Sequence, residues 1–353
     1  MALPGLKIGR LESRFPVIQA GMGVRVGNFS LAAASINCGA FGTIASVGLG
    51  DIEKSKTDFV AESNRVLIKE IRKAREMAPN GPLGVNIMVA LSNYAETARA
   101  SVEEGVDFII SGAGLPTRLP EYVGDADVEL IPVISSGRAL EVVVKNWIRK
   151  YDRLPGAVIV ENPWCGGHLG FSLEELERSE TRSSEILFNE ASEVLEKYDC
   201  DVPIIAAGEI SDKEDIDAAL AIGYAGVQIG TRFIVAEEAG IDEISKQVFI
   251  DADASDIVVI KSPVGLPVRV LNTPLVRRVL EGRREKFSCP YRCLRSCNPA
   301  KVPFCIAKAL LATWRGDVDN GLYMTGCDIA SVMSVAPLRE FFDSLDDSEG
   351  RAG

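Results

Sequence analysis

The sequence predicts an α/β fold: a closed (β/α)8 barrel of the TIM type with a smaller appended lid domain. Eight short apolar, β-branched runs alternate with helix-like segments over the first 236 residues, and a Gly, Ser or Asn follows nearly every run. Beyond Ala236 the alternation stops. Strands separated by helical crossovers imply a parallel sheet, and eight such units suit a closed barrel better than a doubly wound open sheet.

The strands are expected at residues 15–20, 41–45, 83–89, 106–111, 130–135, 157–161, 202–206 and 225–229, each rich in Val, Ile, Leu or Phe. Helices are expected at 28–36, 64–77, 92–104, 139–149, 184–198 and 212–221, the last with Ser211 as its N-cap. Residues 1–236 then form the barrel and 237–324 the lid domain. Within that domain an acidic helix-like stretch starts at Glu237, residues 262–267 read as an irregular loop, and 275–284 as a basic helix. Residues 325–353 are expected to return to the barrel as a C-terminal helix and tail, fraying from Asp343 onward.

At 353 residues and 47% apolar content the chain can bury a barrel-sized core. Residues 1–16 carry Lys7, Arg10, Glu12 and Arg14 and lack the apolar stretch of a cleavable signal. No uncharged apolar run approaches bilayer-spanning length, so a cytoplasmic protein without a membrane partner is expected. A net charge of -12 argues against nucleic-acid binding, which needs a basic field. A homo-oligomer is expected. Eight cysteines in such a chain point to free thiols or metal rather than disulfides.

One stretch draws the functional residues together. Residues 157–171 run from an apolar strand into a turn-rich loop that carries His168, the only histidine in the chain. Imidazole titrates near neutrality, so His168 is the acid/base candidate. Ala20, Gly21, Met22, Gly23, Asn86, Ser111, Glu161, Gly166 and Gly167 also stand at the C-terminal ends of expected strands or just beyond them. So do Ala207, Gly208, Gln228, Gly230 and Thr231. In a barrel those ends converge on one face, where active sites of this fold lie. The loops after the seventh and eighth strands, with Gly208, Gly230 and Thr231, occupy the positions that bind phosphate in such barrels.

Cys289, Cys293, Cys297 and Cys305 form a second group. Pro290 favours a helix start, which would set Cys293 and Cys297 one turn apart, and Pro303 a second helix with Cys305 in its first turn. Four thiolates so placed could hold an iron-sulfur cluster such as 4Fe-4S, or a structural zinc, with Cys327 in reserve; four reduced, partly buried thiols are the alternative. Between Arg277 and Lys308 nine Lys/Arg face only Glu281 and Glu285, a charge excess that would suit nucleotide phosphates or an acidic carrier protein, or simply a solvated helix face.

Taken together the chain resembles the nitronate monooxygenase family, which includes flavin-dependent enoyl-acyl-carrier-protein reductases. Residues 16–23 (PVIQAGMG) resemble its opening strand and flavin loop. Gly84-Val85-Asn86, Gly166-Gly167-His168, Ala206-Ala207-Gly208 and residues 228–233 (QIGTRF) match its other signatures in order. The resemblance implies FMN, with Gly21, Met22 and Asn86 against the isoalloxazine, Gly166 and Gly167 near the ribityl chain, Gly208, Gly230 and Thr231 on the phosphate, and His168 catalytic. It departs from the pattern at Glu209, where the family has a second glycine. A negative φ there would still let the N–H donate to phosphate, with the carboxylate turned away.

The small-molecule substrate is then expected to be a nitronate, oxidised through flavin and oxygen by a monooxygenase activity. An enoyl thioester reduced with NAD(P)H is the alternative, and a non-redox phosphate-binding barrel a remote one.

Overall fold

The computed structural model describes residues 2–50, 58–178, 182–289 and 292–346. It begins with an antiparallel hairpin, β1 (Leu6–Ile8) and β2 (Leu11–Ser13). Leu6 and Ile8 are buried, Leu6 against Gly226 and the hairpin's Gly9 against Glu129. Both contacts fall at the starts of barrel strands, so the hairpin closes the N-terminal end of the barrel.

Strands and helices then alternate: β3 (Val17–Gln19), α1 (Phe29–Asn37), β4 (Gly42–Ala45), α2 (Phe59–Met77), β5 (Leu83–Met88), α3 (Tyr94–Glu103), β6 (Phe108–Gly112), α4 (Leu119–Val123), β7 (Glu129–Ile134), α5 (Gly137–Tyr151) and β8 (Val158–Glu161). After β9 (Gly167–His168) and α6 (Leu173–Glu177) come α7 (Ser184–Lys197), β10 (Ile204–Ala207), α8 (Lys213–Ile222) and β11 (Gly226–Ile229). Eight of these strands form one parallel sheet in the order β3-β11-β10-β8-β7-β6-β5-β4. Its ends meet through the Ile18–Phe41 bridge, where Phe41 N–H donates to Val17 and Gln19 N–H to Phe41. The barrel is therefore the one expected, and its strands are buried on both faces, as apolar parallel strands must be.

Two local expectations are corrected. The N-cap of α8 is Asp212, whose carboxylate accepts from Asp215 N–H, while Ser211 turns to donate to the Asp215 carboxylate. A carboxylate at the cap also complements the helix dipole. The loop expected at 262–267 is mostly a tight turn, Gly265 N–H to Ser262 and Ser262 N–H to Leu266, joining two antiparallel strands, β12 (Ile257–Lys261) and β13 (Pro267–Leu271).

The appended segment also contains α9 (Glu243–Ile250), α10 (Pro274–Leu280) and α11 (Ile306–Trp314). The returning helix α12 (Leu338–Ser344) presses Phe341 and Phe342 onto Phe233, with Phe342 also 5.4 Å from Phe15. Asp343 and Ser344, expected to fray, instead close α12, and the tail beyond residue 346 lies outside the described residues. Among the described residues no helix is long and apolar enough to cross a membrane. Because Phe342 is 2% exposed, Phe342→Ala should cost about 3–5 kcal/mol of stability, measured by urea unfolding.

Candidate active site

The loops at the C-terminal ends of the barrel strands and the appended segment enclose a cavity of about 230 Å³. Ala20, Gly21, Met22, Gly23, Asn86, Glu161, Gly166, Gly167, His168, Ala207, Gly208, Gln228, Gly230 and Thr231 all line it. Ser111 does not. Side chains alternate across a strand, and Ser111 faces the helix layer, where its hydroxyl meets the Tyr94 hydroxyl at 2.7 Å and donates to the Ile87 carbonyl. Gly112 and Ala113 reach the cavity in its place.

His168 is held in β9 rather than in an open loop. That two-residue strand pairs antiparallel with β13, His168 opposite Val268 and Gly167 opposite Arg269, so the appended hairpin carries it. The buried Arg269 donates to the Cys165 carbonyl and fixes the approach to β9. His168 Nε2 lies 2.8 Å from Ser262 Oγ, which already accepts the Val264 N–H. The serine hydroxyl is free to donate to Nε2, which suits a neutral ring protonated at Nδ1. Packing around the ring lowers its pKa to about 4, so His168 is neutral at pH 7.

Glu161, at the end of β8, is a second proton-holding group. It lines the cavity, and burial pushes its pKa up to about 7. A carboxyl poised near neutrality in a cleft is the usual arrangement for a general acid.

The expected phosphate end differs from expectation. Glu209 takes φ 55°, the left-handed conformation, so the negative φ required above is not met. For a residue with a Cβ that conformation costs about 1–2 kcal/mol. Thr231 Oγ1 accepts the Gly326 N–H and also hydrogen-bonds Asp328, which lines the same wall. Burial raises both the Asp328 and Glu209 carboxyls, against the opposing charge of Arg269.

Asp328 belongs to a group invisible from sequence: Phe249, Leu310, Thr313, Leu322, Met324, Thr325 and Gly326 also reach the cavity from the appended segment. Only the polar turn at 325–328 could have signalled them. Glu161, Glu209 and Asp328 line the cavity, and no Lys or Arg does so among the described residues.

The four cysteines neighbour one another, and burial followed by repulsion from Cys305, Cys289 and Cys297 pushes the Cys293 thiol up to about 12. Yet no group of three or more His, Cys, Asp or Glu is placed to hold a metal ion among the described residues. The expected helix through Cys293 and Cys297 is absent. Residues 292–298 instead run irregularly along the loop after β5, with Ser92 N–H donating to Cys293 and Arg295 N–H to Ala90. Backbone groups spent across to another loop cannot also close helical turns. Cys305 does stand at a helix end, as N-cap of α11, and Cys327 has Arg269, Glu209 and Asp328 as its charged neighbours. All eight cysteines are free thiols.

Comparison with known proteins places these features. The model of the nitronate monooxygenase family matches residues 6–347. The chain belongs to that family. The fold and the ordered motifs are thus those of an oxidoreductase family rather than of a non-redox phosphate-binding barrel.

One relative is the (3aS,4S,5R,7aS)-5-hydroxy-7a-methyl-1-oxo-octahydro-1H-indene-4-carboxyl-CoA dehydrogenase of Mycobacterium tuberculosis, 26% identical over 88% of this chain and 75% of its own length. A probable nitronate monooxygenase of Staphylococcus saprophyticus is 25% identical over 77% of this chain and 80% of its own. Among solved structures, FabK from Thermotoga maritima superposes with a TM-score of 0.71 at 26% identity, covering 94% of this chain and 91% of that one.

Glu209→Gly removes both the left-handed strain and a carboxylate. It should raise stability by about 1 kcal/mol, as read by urea unfolding.

Proposed function

We propose that the protein is an FMN-dependent oxidoreductase acting on the carbon–carbon bond next to the carbonyl of an acyl thioester, with NAD(P)H as the reductant. FMN is compatible with the cavity on two counts. Gln228 Oε1 is buried there without a donor, as a ring N–H would require. Near Gly230 and Gly167 the wall is bare backbone: a Cβ on Gly230 would come no nearer than 3.5 Å to Ala20, and one on Gly167 no nearer than 3.7 Å to Met324. By this reading Asn86, Gly21 and Met22 would hold the ring system, and Gly208, Gly230 and Thr231 the phosphate. The flavin would supply hydride transfer; the protein supplies position, proton handling and exclusion of water.

The charge of the cavity carries the substrate class. Its three carboxyls and lack of any Lys or Arg among the described residues suit a neutral reacting group. A nitronate is an anion and finds no Lys or Arg in this lining among the described residues. A thioester carbonyl needs none. Adding hydride to its conjugated carbon also calls for a proton at the neighbouring one, which protonated Glu161 can provide. His168, neutral and fixed by Ser262, would orient the carbonyl.

Nitronate oxidation, placed first on sequence alone, is the second reading. It is favoured by the Staphylococcus saprophyticus relative's name.

The test is anaerobic. Flavin reduced by NAD(P)H should be reoxidised by a 2-enoyl-coenzyme A and left reduced by a nitroalkane. Oxidised flavin bleached by a nitronate, with no response to the thioester, would reverse the assignment. Because Glu161 must be protonated to act and has its pKa raised to about 7, turnover should fall as pH rises through about 7. Glu161→Gln should flatten that limb and lower kcat by about 10²-fold or more. His168→Ala should retain flavin and lose turnover.

A further inference from the structure

A second cavity, of about 330 Å³, lies where α2 faces the loop after β3 and the end of α11. Arg25, Arg65, Lys69, Lys73 and Trp314 line it, and Glu70 is its one carboxylate among the described residues. That carboxylate is already engaged, accepting the Phe29 N–H at the start of α1. In a chain of net charge -12, four cations around one cavity are a concentration that needs a reason.

The cations are partly set in place. Arg65, Lys69 and Lys73 recur every fourth residue on α2, so like charges stack one turn apart, at a cost of about 0.2–0.5 kcal/mol per pair. Arg65 is held by Glu62. Lys73 rests over the Phe29 ring and Arg25 over the Trp314 ring at 4.2 Å. Arg25 donates one guanidinium N–H to the Leu49 carbonyl, but its Nε is buried with no partner. Lys69 forms no ion pair among the described residues. Two aromatic-backed cations, and a lysine without an ion pair among the described residues, leave positive charge that an anion with several oxygens would match.

The neighbourhood points to the source of that anion. Val24 and Val26 line the acidic cavity, while Arg25 between them lines the basic one; Thr313 and Trp314 divide in the same way. The two cavities are back to back across residues 24–26 and the end of α11. Like Arg65, several cations of the appended segment are already bound: Arg278 to Glu285, Arg283 to Glu281, and Arg284 to two backbone carbonyls.

We propose that the cavity between α2 and Trp314 binds the phosphates of a coenzyme A handle, leaving the thioester end for the acidic cavity beside it. This rests on the acyl-thioester reading above. The lysines supply point charge for the phosphates, and the Arg25 guanidinium adds a further cation at the wall.

The probe is adenosine 3′,5′-bisphosphate, titrated calorimetrically into the full-length protein. It should bind, more weakly as salt rises, and Lys69→Glu/Lys73→Glu should weaken it about tenfold or more. The milder Lys69→Gln/Lys73→Gln pair, with its fold checked by circular dichroism, should show the same direction. In turnover, KM for an acyl-coenzyme A should rise in these variants much more than KM for the matching N-acetylcysteamine thioester, which carries no nucleotide.

Bisphosphate binding that ignores the lysines would overturn the site, and so would equal KM changes for the two thioesters. A rise in KM confined to NADPH would overturn the coenzyme A assignment. If no thioester turns over, yet the bisphosphate binds and is lost in the variants, the function assigned above fails while the phosphate site stands.

Discussion

The structure of the active site depends on the pairing of Gly167 and His168 with Arg269 and Val268. A two-residue strand has no stability of its own. It is held because β13 is already fixed by five pairs to β12 and because Arg269 reaches back to the Cys165 carbonyl. Through this contact the appended segment becomes part of the active-site wall. It also sets the chemistry: Ser262, in the turn of the same hairpin, fixes the His168 ring, and the packing that results keeps the imidazole neutral.

Charge is divided over short distances. The reaction cavity gathers carboxyls whose burial raises their pKa values and lessens their charge. The neighbouring cavity gathers cations backed by aromatic rings. A substrate with a neutral reactive end and an anionic handle would experience these as complementary, whereas a small anion would be drawn to the second cavity rather than the first.

The helix expected through Cys293 and Cys297 illustrates where reading by spacing fails. Cysteines four residues apart share a helix face only if a helix forms, and here residues 292–298 give their backbone hydrogen bonds to the loop after β5. Ser111 fails for a related reason, since its position at a strand end was right but the alternation of side chains turned it towards Tyr94. Glu161 was legible as a cavity residue, yet its raised pKa follows from burial that sequence does not display.

The sequence by itself determined the barrel. Hydrophobic periodicity and the Gly, Ser and Asn after nearly every run are local properties, and all eight strands overlap their expected places, as do the cavity residues that those strands deliver. Only the tertiary structure decided what closes the site. The residues that do so, from Phe249 to Asp328, lie far along the chain in irregular segments whose positions depend on pairing between β9 and β13. Such long-range pairing leaves no period in the sequence, because the partners are chosen by packing across the whole fold rather than by their neighbours in the chain.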